Sequence, residues 1–217
     1  MVRLGFIGFG EAAYEMSCGF RSENKELEIK AYDIAYNSKP DFFNERANKA
    51  KAKLVDSLKD LIQDTDVVIS VVPTACTLST AKEALPYFQS GQLFADASTS
   101  LPNDMIKIAA LAKERNIVFA DVAMLGSLPK DRHKVSILVS GEGAERFHDL
   151  MSPEGMVIEK VNNKAGDASS IKMTRSIFMK GLSALITETL LCAKKNNIEE
   201  YIVNSISESL DGESFVV

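Results

Sequence analysis

Short apolar and β-branched runs alternate with longer stretches in which apolar positions return every three or four residues, from residue 2 to about 159. That alternation is the pattern of a parallel sheet with helices on both faces. Strands are predicted at 2–7, 27–32, 67–72, 92–95, 117–120, 135–140 and 156–159, and helices near 11–22, 41–52, 57–64, 76–88, 103–115 and 143–151. The run Val67-Val68-Ile69-Ser70-Val71-Val72 is apolar on both faces, as a central parallel strand requires. After Lys160 the texture changes. Val161-Asn162-Asn163-Lys164-Ala165-Gly166-Asp167 reads as a polar linker, and one helical pattern then runs to about Asn196, with Ile171, Phe178, Leu182, Leu185, Ile186 and Leu190 at three- and four-residue steps. A helix over about 167–196 is longer than most globular helices and suits a span between domains. Residues 198–210 predict one further helix. The expected fold is a Rossmann-type, doubly wound α/β domain over 1–160, followed over 161–217 by an all-α domain entered through the long helix.

Composition narrows the function. The 217 residues are 46% hydrophobic and 25% charged, ordinary for a globular protein and against collagen-like or disordered classes. With 25 basic and 30 acidic residues and no basic run, the chain lacks the footprint of a nucleic-acid binder. Cys18, Cys76 and Cys192 are odd in number and widely spaced, which argues against a disulfide framework or a zinc knuckle and for a reducing cytoplasm. No metal site is expected. The opening apolar stretch is too short for a signal-peptide core and no 18 apolar residues run together, so no membrane attachment is expected.

The first strand runs into Gly8-Phe9-Gly10-Glu11-Ala12-Ala13, a G-x-G-x-x-A turn that opens a helix. Glycines there allow a tight bend and let backbone N–H groups approach a pyrophosphate. A plain βα turn is the alternative, and the context weighs against it: Asp33 follows the second strand about 20 residues beyond the motif, as the dinucleotide fingerprint asks. Asp33 can accept hydrogen bonds from ribose hydroxyls and would repel a 2′-phosphate, and the next residue is Ile34, not arginine. NAD is therefore favoured, with Lys39 softening the discrimination against NADP. Val72-Pro73-Thr74 and Asp96-Ala97-Ser98-Thr99-Ser100-Leu101-Pro102 end two strands at the carboxyl edge, where doubly wound folds bind ligands. Ser98 and Ser100 can alternatively cap the helix ahead of Pro102.

The order of these motifs, continued by Asp121-Val122-Ala123-Met124-Leu125-Gly126-Ser127-Leu128-Pro129 and by Gly166-Asp167-Ala168-Ser169-Ser170-Ile171-Lys172-Met173, resembles the β-hydroxyacid dehydrogenases, the superfamily of 6-phosphogluconate and 3-hydroxyisobutyrate dehydrogenases. The resemblance covers nearly the whole chain and lies closest to a branch described only as phosphogluconate dehydrogenase NAD-binding-like. It implies an enzyme, an NAD(P)-dependent oxidoreductase that passes a hydride between a small 3-hydroxy acid and nicotinamide. Lys172 matches the general acid/base. Gly8, Gly10, Glu11, Ala12, Ala13, Asp33, Val72, Pro73, Thr74 and Thr99 are the matching cofactor residues, and Ser98, Leu125, Gly126, Ser127 and Ser176 fall at substrate positions. On periodicity alone Lys172 would be a lysine snorkelling to solvent.

Two departures stand out. The Ser-Gly-Gly that the family often uses for the substrate carboxylate reads Leu125, Gly126 and Ser127, and the asparagine four residues after the lysine is Ser176. They motivate the alternative of a non-catalytic dinucleotide-binding module. The basic loop Pro129-Lys130-Asp131-Arg132-His133-Lys134 would suit an acidic or phosphorylated substrate, or be a solvated turn. The family's helical domain extends further than this length allows. The helical part is thus expected to be truncated and to pair as a homodimer with Leu182 and Leu185 buried.

Overall fold

The computed structural model describes residues 1–23 and 27–211; the last six residues of the expected helical domain lie outside the described residues. In chain order the regular elements are β1 (Arg3–Ile7), α1 (Glu11–Ser22), β2 (Glu28–Tyr32), α2 (Pro40–Ala50), β3 (Lys53–Leu54), α3 (Leu58–Ile62), β4 (Val67–Ser70), α4 (Thr77–Ala84), β5 (Leu93–Asp96) and α5 (Pro102–Lys113). They continue as β6 (Val118–Leu125), α6 (Leu128–Asp131), β7 (Ser136–Ser140), α7 (Ala144–Met151), β8 (Ile158–Asn162), α8 (Asp167–Asn196) and α9 (Glu199–Leu210). The sheet order is β3-β2-β1-β4-β5-β6-β7-β8, a Rossmann-type doubly wound arrangement.

The two faces of the sheet each bury a separate apolar layer, because successive strand residues point to opposite sides. Leu4, Phe6, Val67 and Ile69 meet Met16 and Phe20 of α1, Phe43 of α2 and Phe147 of α7 on one face. On the other, Ile7, Val68 and Phe94 meet Leu61 of α3, Ala81 of α4 and Ile108 of α5. Burying one such aromatic or aliphatic side chain is worth roughly 1.5–3 kcal/mol, so the alternation itself fixes which helix lies on which face.

The sheet differs from the all-parallel expectation at one pair, since β7 runs antiparallel to β6. The connection between Leu125 and Ser136 is too short for a parallel crossover, which needs about a dozen residues or more, and the chain turns straight back. The two-residue β3 carries no period and escapes a periodicity reading. β4 ends at Ser70 rather than 72, because Val72 N–H turns to the Ser98 hydroxyl. The expected helix over 76–88 stops at Ala84 and tightens into a 3₁₀ turn, Leu85–Tyr87, containing Pro86, whose missing N–H and fixed φ interrupt an α-helix. β6 runs on to Leu125, well beyond the predicted 120.

The chain divides into two compact units, Met1–Lys172 and Met173–Val217. The division falls later than the change in texture at 160, for two reasons: β8 still belongs to the sheet up to Asn162, and the first turn of α8 is bonded to β6 and β7. In the second unit α8 turns into α9 through Asn197, held at φ +55, a left-handed conformation that asparagine tolerates. Leu182 and Leu185 are 39% and 62% exposed in the single chain.

Candidate active site

β1 delivers the chain to Gly8 at φ +88, where a Cβ would lie 2.5 Å from the Val71 carbonyl oxygen. Only glycine fits there. Two residues on, a Cβ at Gly10 would meet nothing within 4 Å. No side chain caps the start of α1, so the first-turn amides at Glu11, Ala12 and Ala13 stand where a helix N-terminus favours an anion. That open cradle fits a dinucleotide pyrophosphate. Asp33, at the end of β2, is half-buried and braces the same turn. One carboxylate oxygen accepts the Phe9 N–H at 2.9 Å and the other accepts the Ala35 N–H at 2.9 Å. Each oxygen retains capacity for a further donor. The neighbouring Ile34 is 87% exposed.

At the ends of β4 and β5 two loops are stitched together. Val72 N–H donates to the Ser98 hydroxyl at 3.0 Å, and the Thr74 hydroxyl donates to the Thr99 carbonyl at 3.2 Å. Pro73 is exposed, and its carbonyl accepts the Cys76 N–H. Ser98 is buried, its hydroxyl lying among Val72, Asp96 and Ser70. The N-cap of α5 is Leu101, with no side-chain bond, so neither Ser98 nor Ser100 caps that helix.

Thr99 sits at φ +58, a left-handed conformation that a β-branched residue adopts only when its surroundings impose it. Its hydroxyl accepts a 2.6 Å hydrogen bond from the Lys172 ammonium. Lys172 lies at the end of the first compact unit, and burial lowers its pKa from the ordinary lysine value. The structure thus joins Thr99 and Lys172, 73 positions apart, over the carboxyl edge of the sheet.

The remaining substrate-position residues are Leu125, Gly126, Ser127 and Ser176. Leu125 ends β6 half-buried, and Gly126 and Ser127 are exposed in the turn that follows, where the Ser127 carbonyl accepts the Lys130 and Asp131 N–H groups. Ser176 is half-buried on α8 and belongs to the second unit. In the basic loop three side chains turn towards acids of α1 and its end: Arg132 to Glu15 at 3.7 Å, and Lys134 and His133 to Glu23 at 2.5 and 3.5 Å. His133 is buried against Phe20, its ring centroid 4.7 Å away. Lys130, Arg132 and Lys134 of that loop are exposed, as in a solvated turn, and His133 anchors it on α1.

Sequence reasoning passed over two buried acids. Asp96 and Asp121 are both at most 1% exposed and face each other in register across β5 and β6. Burial pushes the Asp96 carboxyl up to about 6, opposed by bonds from the Ser98 N–H and from the Ser70 and Ser98 hydroxyls and reinforced by the Asp121 charge. Their signal was an acid inside an otherwise apolar strand, a costly placement unless the carboxylate is fully bonded.

A conserved hypothetical protein from Sinorhizobium meliloti 1021 is 31% identical, with a TM-score of 0.81 over 98% of this chain and 71% of that one. The conserved protein MTH1747, of unknown function and described as structurally similar to 3-hydroxyacid dehydrogenases, is 29% identical, with a TM-score of 0.79 over 97% of this chain and 77% of its own. The 2-(hydroxymethyl)glutarate dehydrogenase of Eubacterium barkeri is 22% identical over 229 residues, covering 100% of this chain and 71% of the relative. The family model for the NAD binding domain of 6-phosphogluconate dehydrogenase matches residues 3–158, and the chain belongs to that family, within the β-hydroxyacid dehydrogenase-like oxidoreductases that take NAD(P).

Proposed function

We propose that the protein is an NAD-dependent dehydrogenase of a small 3-hydroxy acid, with Lys172 as general acid/base. The observation that carries the proposal is the 2.6 Å bond between Lys172 and Thr99, formed by a lysine whose pKa burial lowers, beside the loops that end β4 and β5. Oxidation of an alcohol needs a base for the hydroxyl proton, and a desolvated amine supplies one nearer to neutral pH than a solvated lysine can. Bound nicotinamide would accept the hydride. Gly8, Gly10 and the amides at Glu11, Ala12 and Ala13 would hold the pyrophosphate, Asp33 the adenosine ribose, and Val72, Pro73, Thr74 and Thr99 the nicotinamide side.

For the substrate we assign the exposed Gly126 and Ser127 of the turn after β6, beside Leu125, which packs with Ala123, Leu138 and Ala168; Ser176 follows Lys172 by one turn along α8. Ser98 serves that side by fixing the Thr99 loop, since its hydroxyl is already engaged. With Arg132, His133 and Lys134 engaged by α1, a phosphorylated substrate is the weaker choice, and a simple carboxylate is favoured.

α8 is long and apolar enough to cross a bilayer by length and composition. In a family of small-molecule dehydrogenases we assign its exposed Phe178, Leu182, Leu185 and Ile186 to a homodimer contact, and the protein to the cytoplasm. The test is a screen of 3-hydroxy acids for NAD reduction beside direct NAD titration. With an identified substrate, Lys172→Ala should cut turnover by roughly 10²–10⁴ and leave NAD affinity nearly unchanged. NAD affinity without turnover on any hydroxy acid would favour a non-catalytic binding module.

A further inference from the structure

A line of buried polar residues crosses four strands at one level: Ser70, Asp96, Asp121 and Ser140 are successive register partners from β4 to β7. Each is at most 1% exposed, and none of them touches solvent enough to bind a ligand directly. Their bonds instead run to the backbone on either side of the Thr99–Lys172 pair. On one side the Asp96 carboxylate accepts the Ser98 N–H at 3.0 Å, directly before Thr99. On the other, Asp121 gathers the start of α8. One oxygen accepts the Ser140 hydroxyl at 3.0 Å, the Gly166 N–H at 2.9 Å and the Ser169 N–H at 3.1 Å; the second accepts the Ser169 hydroxyl at 2.6 Å. The Ser140 hydroxyl in turn accepts the Ala168 N–H at 3.0 Å.

From inside the sheet the carboxylate therefore meets the Gly166 and Ser169 N–H groups and the Ser140 hydroxyl meets that of Ala168, while the Asp167 N–H bonds the Lys164 carbonyl; the carboxylate lies at the end of the helix where negative charge is favoured. Gly166, at φ +100, closes the approach, since a Cβ there would lie 3.0 Å from the Pro102 carbonyl oxygen. Ser169 and Lys172 are three residues apart and share one helical face. Fixing the rotation of Ser169 fixes the direction in which the Lys172 side chain leaves the helix.

We propose that Asp121 is a positioning residue: through Gly166 and Ser169 it sets the rotation of the first turn of α8 and so holds the Lys172 amine against Thr99. This deepens the catalytic reading of Lys172 and rests on it for its functional meaning. Its structural content can be tested without a substrate.

The experiment is competitive labelling of lysines with acetic anhydride across pH, read by mass spectrometry on the intact chain, for wild type, Asp121→Ala and Asp121→Asn. Lys107 and Lys113 serve as internal references, with circular dichroism as the folding control. In wild type the Lys172 labelling midpoint should lie below the ordinary lysine value of about 10.4. In Asp121→Ala it should rise towards that value while the references stay put, and Asp121→Asn, which keeps an acceptor oxygen, should lie nearer wild type. Should Asp121→Ala fail to fold, Ser140→Ala combined with Ser169→Ala removes two of the four side-chain and backbone links and is read in the same way. An unchanged Lys172 midpoint in a folded variant, or an equal shift at the reference lysines, overturns the proposal. Absence of dehydrogenase activity would fell the catalytic reading and leave this result standing.

Discussion

Replacing Gly8 and Gly10 one at a time with alanine should separate folding from cofactor binding within a single turn. Gly8→Ala places a Cβ 2.5 Å from the Val71 carbonyl oxygen and forces an L-residue to φ +88. The left-handed conformation costs roughly 1–2 kcal/mol, and relieving the overlap with a backbone that is itself bonded into the sheet adds roughly 1–3 kcal/mol. A loss of about 3 kcal/mol is expected, and at about 2–4 °C per kcal/mol for a chain of this size the melting temperature should fall by roughly 6–12 °C. Gly10, at φ −71 with no atom within 4 Å of its missing Cβ, admits alanine at a cost under about 1 kcal/mol. There the new methyl occupies the space assigned to the pyrophosphate, and NAD affinity should fall at least about tenfold, or 1.4 kcal/mol. Urea midpoints and calorimetric NAD titration measure the two effects. Equal stability of the two variants, or wild-type NAD affinity in Gly10→Ala, would refute the reasoning.

In wild type, NAD should bind at least about tenfold more tightly than NADP, and Asp33→Ser should narrow that gap, with a stability loss of about 1–3 kcal/mol because the Phe9 and Ala35 N–H groups lose their acceptor. Equal affinities in wild type would count against the ribose assignment. With Lys172 as the proposed general base, the neutral amine would be the active form in alcohol oxidation, so kcat/KM should rise with pH through its lowered pKa and level off short of the ordinary lysine range; Lys172→Arg should be inactive at every pH. Asp96, raised to about 6 in the folded chain, contributes stability that is fully present below its unfolded value of 3.8 and is lost as pH rises through 6. Asp96→Asn, with no charge to bury, should flatten that decline in urea midpoint between pH 4 and 7, and an unchanged slope would exclude Asp96 as its source. Leu185→Glu should shift a sedimenting dimer towards monomer, whereas a wild type that is monomeric at micromolar concentration would dismiss the contact.

The sequence made the layered arrangement legible because Val67 to Ile69 and the periodic faces of α1, α5 and α7 each carry a local pattern that burial must satisfy. Strand direction carries no such pattern. β7 has the same alternation whichever way it runs, and only the length of the segment after Leu125 decides between the two. The glycine turn and Asp33 were readable from spacing, yet the bond from Phe9 N–H to Asp33 was not, since it depends on how β1 and β2 pair. The ion pairs of the basic loop were out of reach for a similar reason: its partners Glu15 and Glu23 lie more than a hundred residues earlier and meet it only once α1 covers the sheet. Asp96 and Asp121 were visible as acids in apolar surroundings, but their shared level across the sheet exists only in the register.

The placement of Lys172 as the final residue of the first compact unit bears on how such a protein can diversify. Its amine, the Thr99 loop and the glycine turn are inherited together, encoded by one contiguous stretch of chain and held by one sheet. Substitutions, insertions or exchanges from Met173 onward change the exposed apolar side chains of α8 and leave the residues of the Thr99–Lys172 and Asp121–Ser169 bonds as they are. Lineages that share the first 172 residues should therefore vary more readily in how copies assemble than in the geometry of the Thr99–Lys172 pair.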